Sequence, residues 1–280
     1  MVEFPKSFIL MPPKTGSTSM YYILSEHPEI STPTPKELGF FSTTRWKDVK
    51  GNEKKLRETY RKKWDINASG LPIDITPAYC SVRSINRIFQ IAQTSKIKFI
   101  YFTRNPYERA LSHMRFRRAK QEIIHNKELN EKFRNDIDED FTKQWLQSLE
   151  SNRGMERFKF QMPNQKNKRS WDKCVWNNYI KNGLYSEQIK LLWEKTGKEN
   201  VLILTHEDLV KDHQSVLDKM FDFLDLTPKK INNLHTNESN FWKKYYDASS
   251  ELTEEHKAFL KGCFIASNKE LLSLTGIDYL

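Results

Sequence analysis

Short apolar runs alternate along this chain with stretches in which apolar residues recur at helical spacing. Ser7-Phe8-Ile9-Leu10-Met11 is a run of strand length, the form taken by a strand buried on both faces of a sheet. A loop through Pro12-Pro13-Lys14-Thr15-Gly16 follows, and then Met20, Ile23 and Leu24 fall at i, i+3 and i+4, one face of a helix that Pro28 ends. Lys96–Thr103 predicts a second strand, after which Asn105 and Pro106 supply an N-cap and a first helical residue. Tyr107, Ala110, Leu111 and Met114 form the apolar stripe of that helix. Val201–Leu204 predicts a third strand, and Val216, Met220 and Phe223 mark a later helix. Strands alternating with helices argue for an α/β fold with a mostly parallel central sheet flanked by helices. No repeat or low-complexity linker interrupts the pattern, so residues 1–280 are read as a single domain. Within it, residues 120–170 are highly charged and poor in strand signals, and are read as a helical and loop excursion laid over the core.

Charge narrows the class of partner. The chain carries 46 Lys and Arg against 36 Asp and Glu, a formal net charge of +10, so an anionic partner is expected: nucleic acid, an acidic glycan or a polyanionic nucleotide. The basic residues are spread along the chain, without the tail or arginine-rich arm of many nucleic-acid binders. No run approaches the ~20 apolar residues that span a bilayer. The first predicted strand begins within a few residues of Met1, with no secretory signal before it, so the chain is read as cytoplasmic with no membrane partner. Cys80, Cys174 and Cys263 stand far apart, at no metal-ligand spacing to one another or to histidine; they are read as reduced thiols, and no metal is expected.

Two segments carry candidate chemistry. Lys14-Thr15-Gly16-Ser17-Thr18-Ser19 joins a strand to a helix, where unpaired backbone N–H groups and the positive end of the helix dipole favour an anion. Gly16 allows close backbone approach, the hydroxyls add donors and Lys14 adds a charge. The lysine precedes the segment's one glycine, so this is not the Gly-Lys-Ser/Thr phosphate loop of nucleotide kinases. Taken alone, an ordinary capped helix after a strand has the same look. In the second segment Arg104 ends a strand, and Ser112 follows eight residues later on the next helix, outside its apolar stripe. Arginine's planar fork suits phosphate oxygens, and the pair can grip one phosphate from two directions. A helix cap followed by a solvated Arg/Ser surface is the alternative.

Together these segments resemble the 5′-phosphosulfate loop and the 3′-phosphate motif of sulfotransferases that use 3′-phosphoadenosine 5′-phosphosulfate (PAPS), above all the heparan sulfate N- and 3-O-sulfotransferases and bacterial relatives. Lys36-Glu37…Phe40-Phe41, Thr76-Pro77-Ala78-Tyr79, Gly183-Leu184-Tyr185…Trp193 and Glu207-Asp208-Leu209 extend the resemblance over most of the chain. It implies a P-loop-like sulfotransferase fold, PAPS as sulfuryl donor and 3′-phosphoadenosine 5′-phosphate (PAP) as product. It also implies a general base at Glu37 and a cation, Lys14, at the bridging oxygen of the leaving group. A surface carboxylate paired with Lys36 is the other reading of Glu37; Asp74 is the reserve base, and His27, His113 and His206 come third. Phe241-Trp242-Lys243-Lys244 faintly resembles the element that closes over the 3′-phosphate in cytosolic sulfotransferases, which makes Lys243 and Lys244 nucleotide contacts. Ile75 stands where the heparan sulfate enzymes commonly carry a lysine. That difference favours a small-molecule acceptor over a glycan, with Phe40, Phe41, Trp46, Tyr79, Phe116 and Trp171 as pocket walls or core. The 120–170 excursion would then cover the acceptor cleft. A P-loop kinase and a non-enzymatic nucleic-acid-binding protein are the competing classes. Oligomeric state leaves no trace in the sequence.

Overall fold

The computed structural model describes residues 5–34, 36–42, 70–91, 97–128, 179–231 and 253–280, with single positions 54, 58, 60, 62, 131 and 132. Five parallel strands form its sheet: β1 (Ser7–Leu10), β2 (Ile30–Ser31), β3 (Leu71–Asp74), β4 (Lys98–Thr103) and β5 (Val201–Thr205), in the order β2-β3-β1-β4-β5. Parallel neighbours need crossover connections, and α1 (Ser17–Ser25), α2 (Val82–Ile91), α3 (Pro106–His125) and α4 (Tyr185–Thr196) lie on them. Helices α5 (His206–Lys211), α6 (His213–Phe223) and α7 (Glu254–Thr275) follow the last strand.

Alternation along the strands divides the core between the two faces of the sheet. Phe8, Leu10, Phe99 and Tyr101 point to one side, against Ile85 and Ile88 of α2, Ile189 and Leu192 of α4 and Leu271 of α7. Ile9, Ile100, Phe102 and Leu204 point to the other, against Met20, Ile23 and Leu24 of α1 and Val216, Leu217, Met220 and Phe221 of α6. Burial on both faces is why β1 and β4 read as continuous apolar runs.

The two strands that periodicity does not announce are the shortest and the least regular. β2 has two residues, too few to alternate, and β3 carries Pro72 and ends in the buried acid Asp74. The α6 face also differs from the expected one: Leu217 and Phe221 are buried beside Val216 and Met220, and Phe223 is half-buried. On α3, Arg109, Ala110, Leu111, Ser112, His113 and Met114 are all buried, so this stretch is covered around its circumference instead of along one stripe. Ser112, expected outside the apolar stripe, is therefore buried.

The chain falls into two compact units. Met1–Arg109, Asn182–Asn237 and Leu260–Leu280 hold the sheet; Ala110–Lys181 and Glu238–Phe259 form the other. Beyond His125 most of the proposed 120–170 excursion lies outside the described residues. No helix among the described residues is long and apolar enough to cross a membrane.

Gly183 fixes how the turn before α4 enters the first unit. A Cβ there would lie 2.8 Å from the ring of Phe264 on α7 and 3.0 Å from Pro106, and Phe264 is 1% exposed, so the ring has nowhere to move. Gly183→Ala is expected to destabilise the protein by about 1–3 kcal/mol, the usual range for overpacking, read as a lower urea midpoint at unchanged slope.

Candidate active site

β1 and β4 lie side by side in register, Leu10 opposite Tyr101. From β1 the chain builds β2 and β3 on one side and then crosses to β4 and β5 on the other. Such a reversal of strand order, here at the carboxyl ends of β1 and β4, is the usual binding place in open α/β sheets. Both candidate phosphate segments leave the sheet there.

The first segment is a tight turn. The Thr15 N–H and hydroxyl both donate to the Pro12 carbonyl, at 3.1 and 2.7 Å, so the Thr15 side chain stiffens the loop. Lys14 and Gly16 take left-handed backbone conformations, φ 77° and 95°. Gly16 is the N-cap of α1 and, as a glycine, brings no capping side chain of its own. The first turn carries no acidic residue, so the positive end of the helix dipole meets no carboxylate from that turn. Ser17 is buried, while Thr18 and Ser19 are half-buried.

The second segment is tied to the first. Arg104 donates from its guanidinium to the Lys14 carbonyl at 2.6 Å, and its own carbonyl accepts from the Tyr185 hydroxyl at 2.7 Å. Arg109, fully buried, reaches the Pro13 carbonyl at 3.4 Å. Burial, with the neighbouring Arg104 charge adding to it, pulls the Lys14 ammonium down to about 8. His206 shares a hydrogen bond of 3.1 Å with the Thr15 carbonyl through Nδ1; burial and then Arg104 lower its pKa. Three basic side chains gathered this closely raise the local potential, and a bound polyanion relieves it.

The candidate bases sit in different surroundings. Glu37, at φ 64°, pairs with Lys36 at 2.7 Å and has a 46% exposed side chain. Its segment is anchored by the Phe40 N–H, which donates to the Tyr79 hydroxyl at 3.0 Å, and by Arg87, which donates to the Phe41 carbonyl at 2.7 Å. Asp74 is fully buried and accepts from the hydroxyls of Tyr60 and Thr76. Burial lifts its carboxyl to about 6 against those hydrogen bonds, with the Glu37 charge adding to the rise.

A family model described as a sulfotransferase domain matches residues 4–270. The chain belongs to the sulfotransferase family. Among solved structures, a sulfotransferase from Alicyclobacillus acidocaldarius is similar over 99% of this chain and 98% of its own, at 19% identity and a TM-score of 0.61, a likeness of fold. A sulfotransferase domain from the curacin biosynthetic pathway covers 87% of this chain and 88% of its own at 17% identity and a TM-score of 0.46. A mouse sulfotransferase complexed with PAP covers 94% and 83% at 14% identity and a TM-score of 0.43. No curated protein matches the chain significantly. The family uses PAPS, and this chain is a PAPS-dependent sulfotransferase, which sets aside the kinase and nucleic-acid-binding readings.

Other expected residues of this sulfotransferase are placed as follows. Ser112 lies two turns into α3. Lys243 and Lys244, like Trp46 and Trp171, fall outside the described residues. Phe40, Phe41 and Tyr79 belong to the core, with Phe41 and Tyr79 rings 5.2 Å apart, so they are not open pocket walls. His27 uses both ring nitrogens structurally, accepting from the Glu29 N–H and bonding the Thr227 carbonyl. His113 is buried on α3 with its ring against Tyr179. Among the described residues no group of three or more His, Cys, Asp or Glu is placed to hold a metal. Tyr185 and Glu207 stand within the family-like motifs without an assigned role, and sequence patterning does not single out Tyr279.

The Lys14 pKa has a testable consequence. Phosphate favours the charged ammonium, so nucleotide binding above pH 8 should draw a proton from solution. Affinity for PAP is expected to fall as pH rises from 8, by at most about tenfold per unit, with a binding heat that depends on the buffer's ionisation enthalpy. Lys14→Met should abolish that buffer dependence.

Proposed function

We propose that this sulfotransferase moves the sulfuryl group of PAPS to a hydroxyl or amine of a small-molecule acceptor. Lys14 and the N-terminal turn of α1, Thr15 to Ser19, take the 5′ phosphosulfate, and Arg104 takes the 3′-phosphate. The observation that carries the assignment is the Arg104–Lys14 link at the strand-order reversal, beside a helix whose N-cap is glycine and whose first turn carries no acid. This cation pair and helix N-terminus fit a donor bearing phosphate at both positions. Ser112 is assigned to the 3′-phosphate by resemblance alone, as are Lys243 and Lys244.

PAPS supplies the sulfuryl group. The acceptor oxygen or nitrogen forms a bond to sulfur as the sulfur–oxygen bond to the 5′-phosphate breaks. Glu37 takes the acceptor's proton, and Lys14 neutralises the charge left on the phosphate. Backbone strain supports this pair. Only three non-glycine residues among those described have positive φ, and two of them are Lys14 and Glu37. Such conformations cost of order 1–3 kcal/mol each and cluster at functional sites. Partial exposure also favours Glu37 over Asp74, whose carboxylate is enclosed by Tyr60 and Thr76. A small molecule is favoured over a sulfated glycan because position 75 offers buried isoleucine and no charge.

Labelled sulfuryl transfer from PAPS to a panel of phenols, alcohols, amines and a desulfated glycan tests this reading. Wild type should label a small molecule. Glu37→Gln should keep PAP affinity while losing transfer by about 10²-fold or more. Label on the glycan alone contradicts the acceptor class, and near wild-type transfer by Glu37→Gln moves the base to Asp74.

A further inference from the structure

Three consecutive residues around Arg104 are each held by a different distant side chain. The Thr103 hydroxyl lies 2.9 Å from the Tyr279 hydroxyl. The Arg104 carbonyl accepts from Tyr185. The Asn105 N–H donates to Glu207 Oε1 at 2.9 Å. The first and third of these are one device, because the Tyr279 hydroxyl also donates to Glu207 Oε2 at 3.0 Å. A carboxylate only accepts, so the phenol proton goes to Glu207 and the phenol oxygen is left to receive the Thr103 hydroxyl. Burial holds the Tyr279 phenol far above its ordinary pKa, which keeps that proton in place.

The C-terminal segment is itself anchored. Asn268 of α7 donates from Nδ2 to the Tyr279 carbonyl at 3.2 Å, and Ile277 and Tyr279 pack against the core face formed by Phe8, Tyr101 and Leu271. Tyr279 lies beyond the residues that the family model matches, 4–270, so the clasp is read from this chain's own geometry.

We propose that Tyr279, acting with Glu207, is a positioning residue for the nucleotide: the two clasp the backbone on both sides of Arg104 and hold its guanidinium ready for the 3′-phosphate. The proposal rests on the assignment of Arg104 to that phosphate. Neither residue needs to touch the nucleotide. Because Glu207 is anionic, its direct electrostatic effect on a bound phosphate is unfavourable, opposite in sign to the effect of positioning.

The test is calorimetric binding of PAP and of ADP to the full chain. Tyr279→Phe keeps the ring and the Asn268 bond and removes both hydroxyl contacts. It should weaken PAP about fivefold, the factor one net hydrogen bond is worth, and leave ADP within about twofold. Glu207→Ala should show the same PAP-selective loss, and Glu207→Gln, whose amide oxygen still accepts from Asn105, should restore it. In the double variant Tyr279→Phe with Glu207→Ala, the loss should be smaller than the sum of the two single losses, because each single already cuts the Tyr279–Glu207 bond. Arg104→Ala separates the two levels. If it preserves the preference for PAP over ADP, the phosphate assignment fails and this inference with it. If it abolishes the preference while Tyr279→Phe binds PAP like wild type, the assignment stands and the clasp is overturned. Equal weakening of PAP and ADP by Tyr279→Phe, or tighter binding of both by Glu207→Ala, also overturns it.

Discussion

The two loops that leave β1 and β4 depend on the hydrogen bond from Arg104 to the Lys14 carbonyl, which joins them and brings several cations together. Burial first, and the neighbouring Arg104 charge second, disfavour the charged Lys14 ammonium at this place. The surrounding structure has to hold it in place. Register between the two strands fixes where the loops emerge, left-handed backbone at Lys14 and Gly16 turns the first loop under α1, and Tyr185 and Glu207 fix the second by its main chain. A polyanion bound here would offset that charge, which ties the proposed selectivity for a doubly phosphorylated nucleotide to the same arrangement.

The acceptor side is organised differently. Its candidate base is a half-exposed glutamate on a segment pinned to the core through Tyr79 and Arg87, beside an acid that burial and hydroxyl partners keep enclosed. The aromatic residues near it, Phe40, Phe41 and Tyr79, are used to build that support.

How much of this the sequence discloses follows from how local each signal is. β1, β4 and β5 and the two phosphate segments are legible because buried parallel strands are continuous apolar runs and because the loop chemistry is contiguous. β2 and β3 are hidden by a two-residue length and by Pro72 and Asp74. The burial of Ser112 contradicts a one-stripe reading of α3, since packing around a whole helix leaves no periodic trace. Arg109 looks like surface in sequence and is fully enclosed in the fold. Tyr279 meets Thr103 across 176 positions and Glu207 across 72, with no motif to announce either meeting. Long-range polar contacts of this kind are set by topology, which periodicity does not carry.

The most direct test of the account is calorimetric binding of PAP beside ADP to the wild-type protein, without added metal. Tight, metal-independent binding of PAP is expected, with a large preference over ADP that comes from the 3′-phosphate. Equal affinities, or an ADP preference that appears only with Mg²⁺, would contradict it.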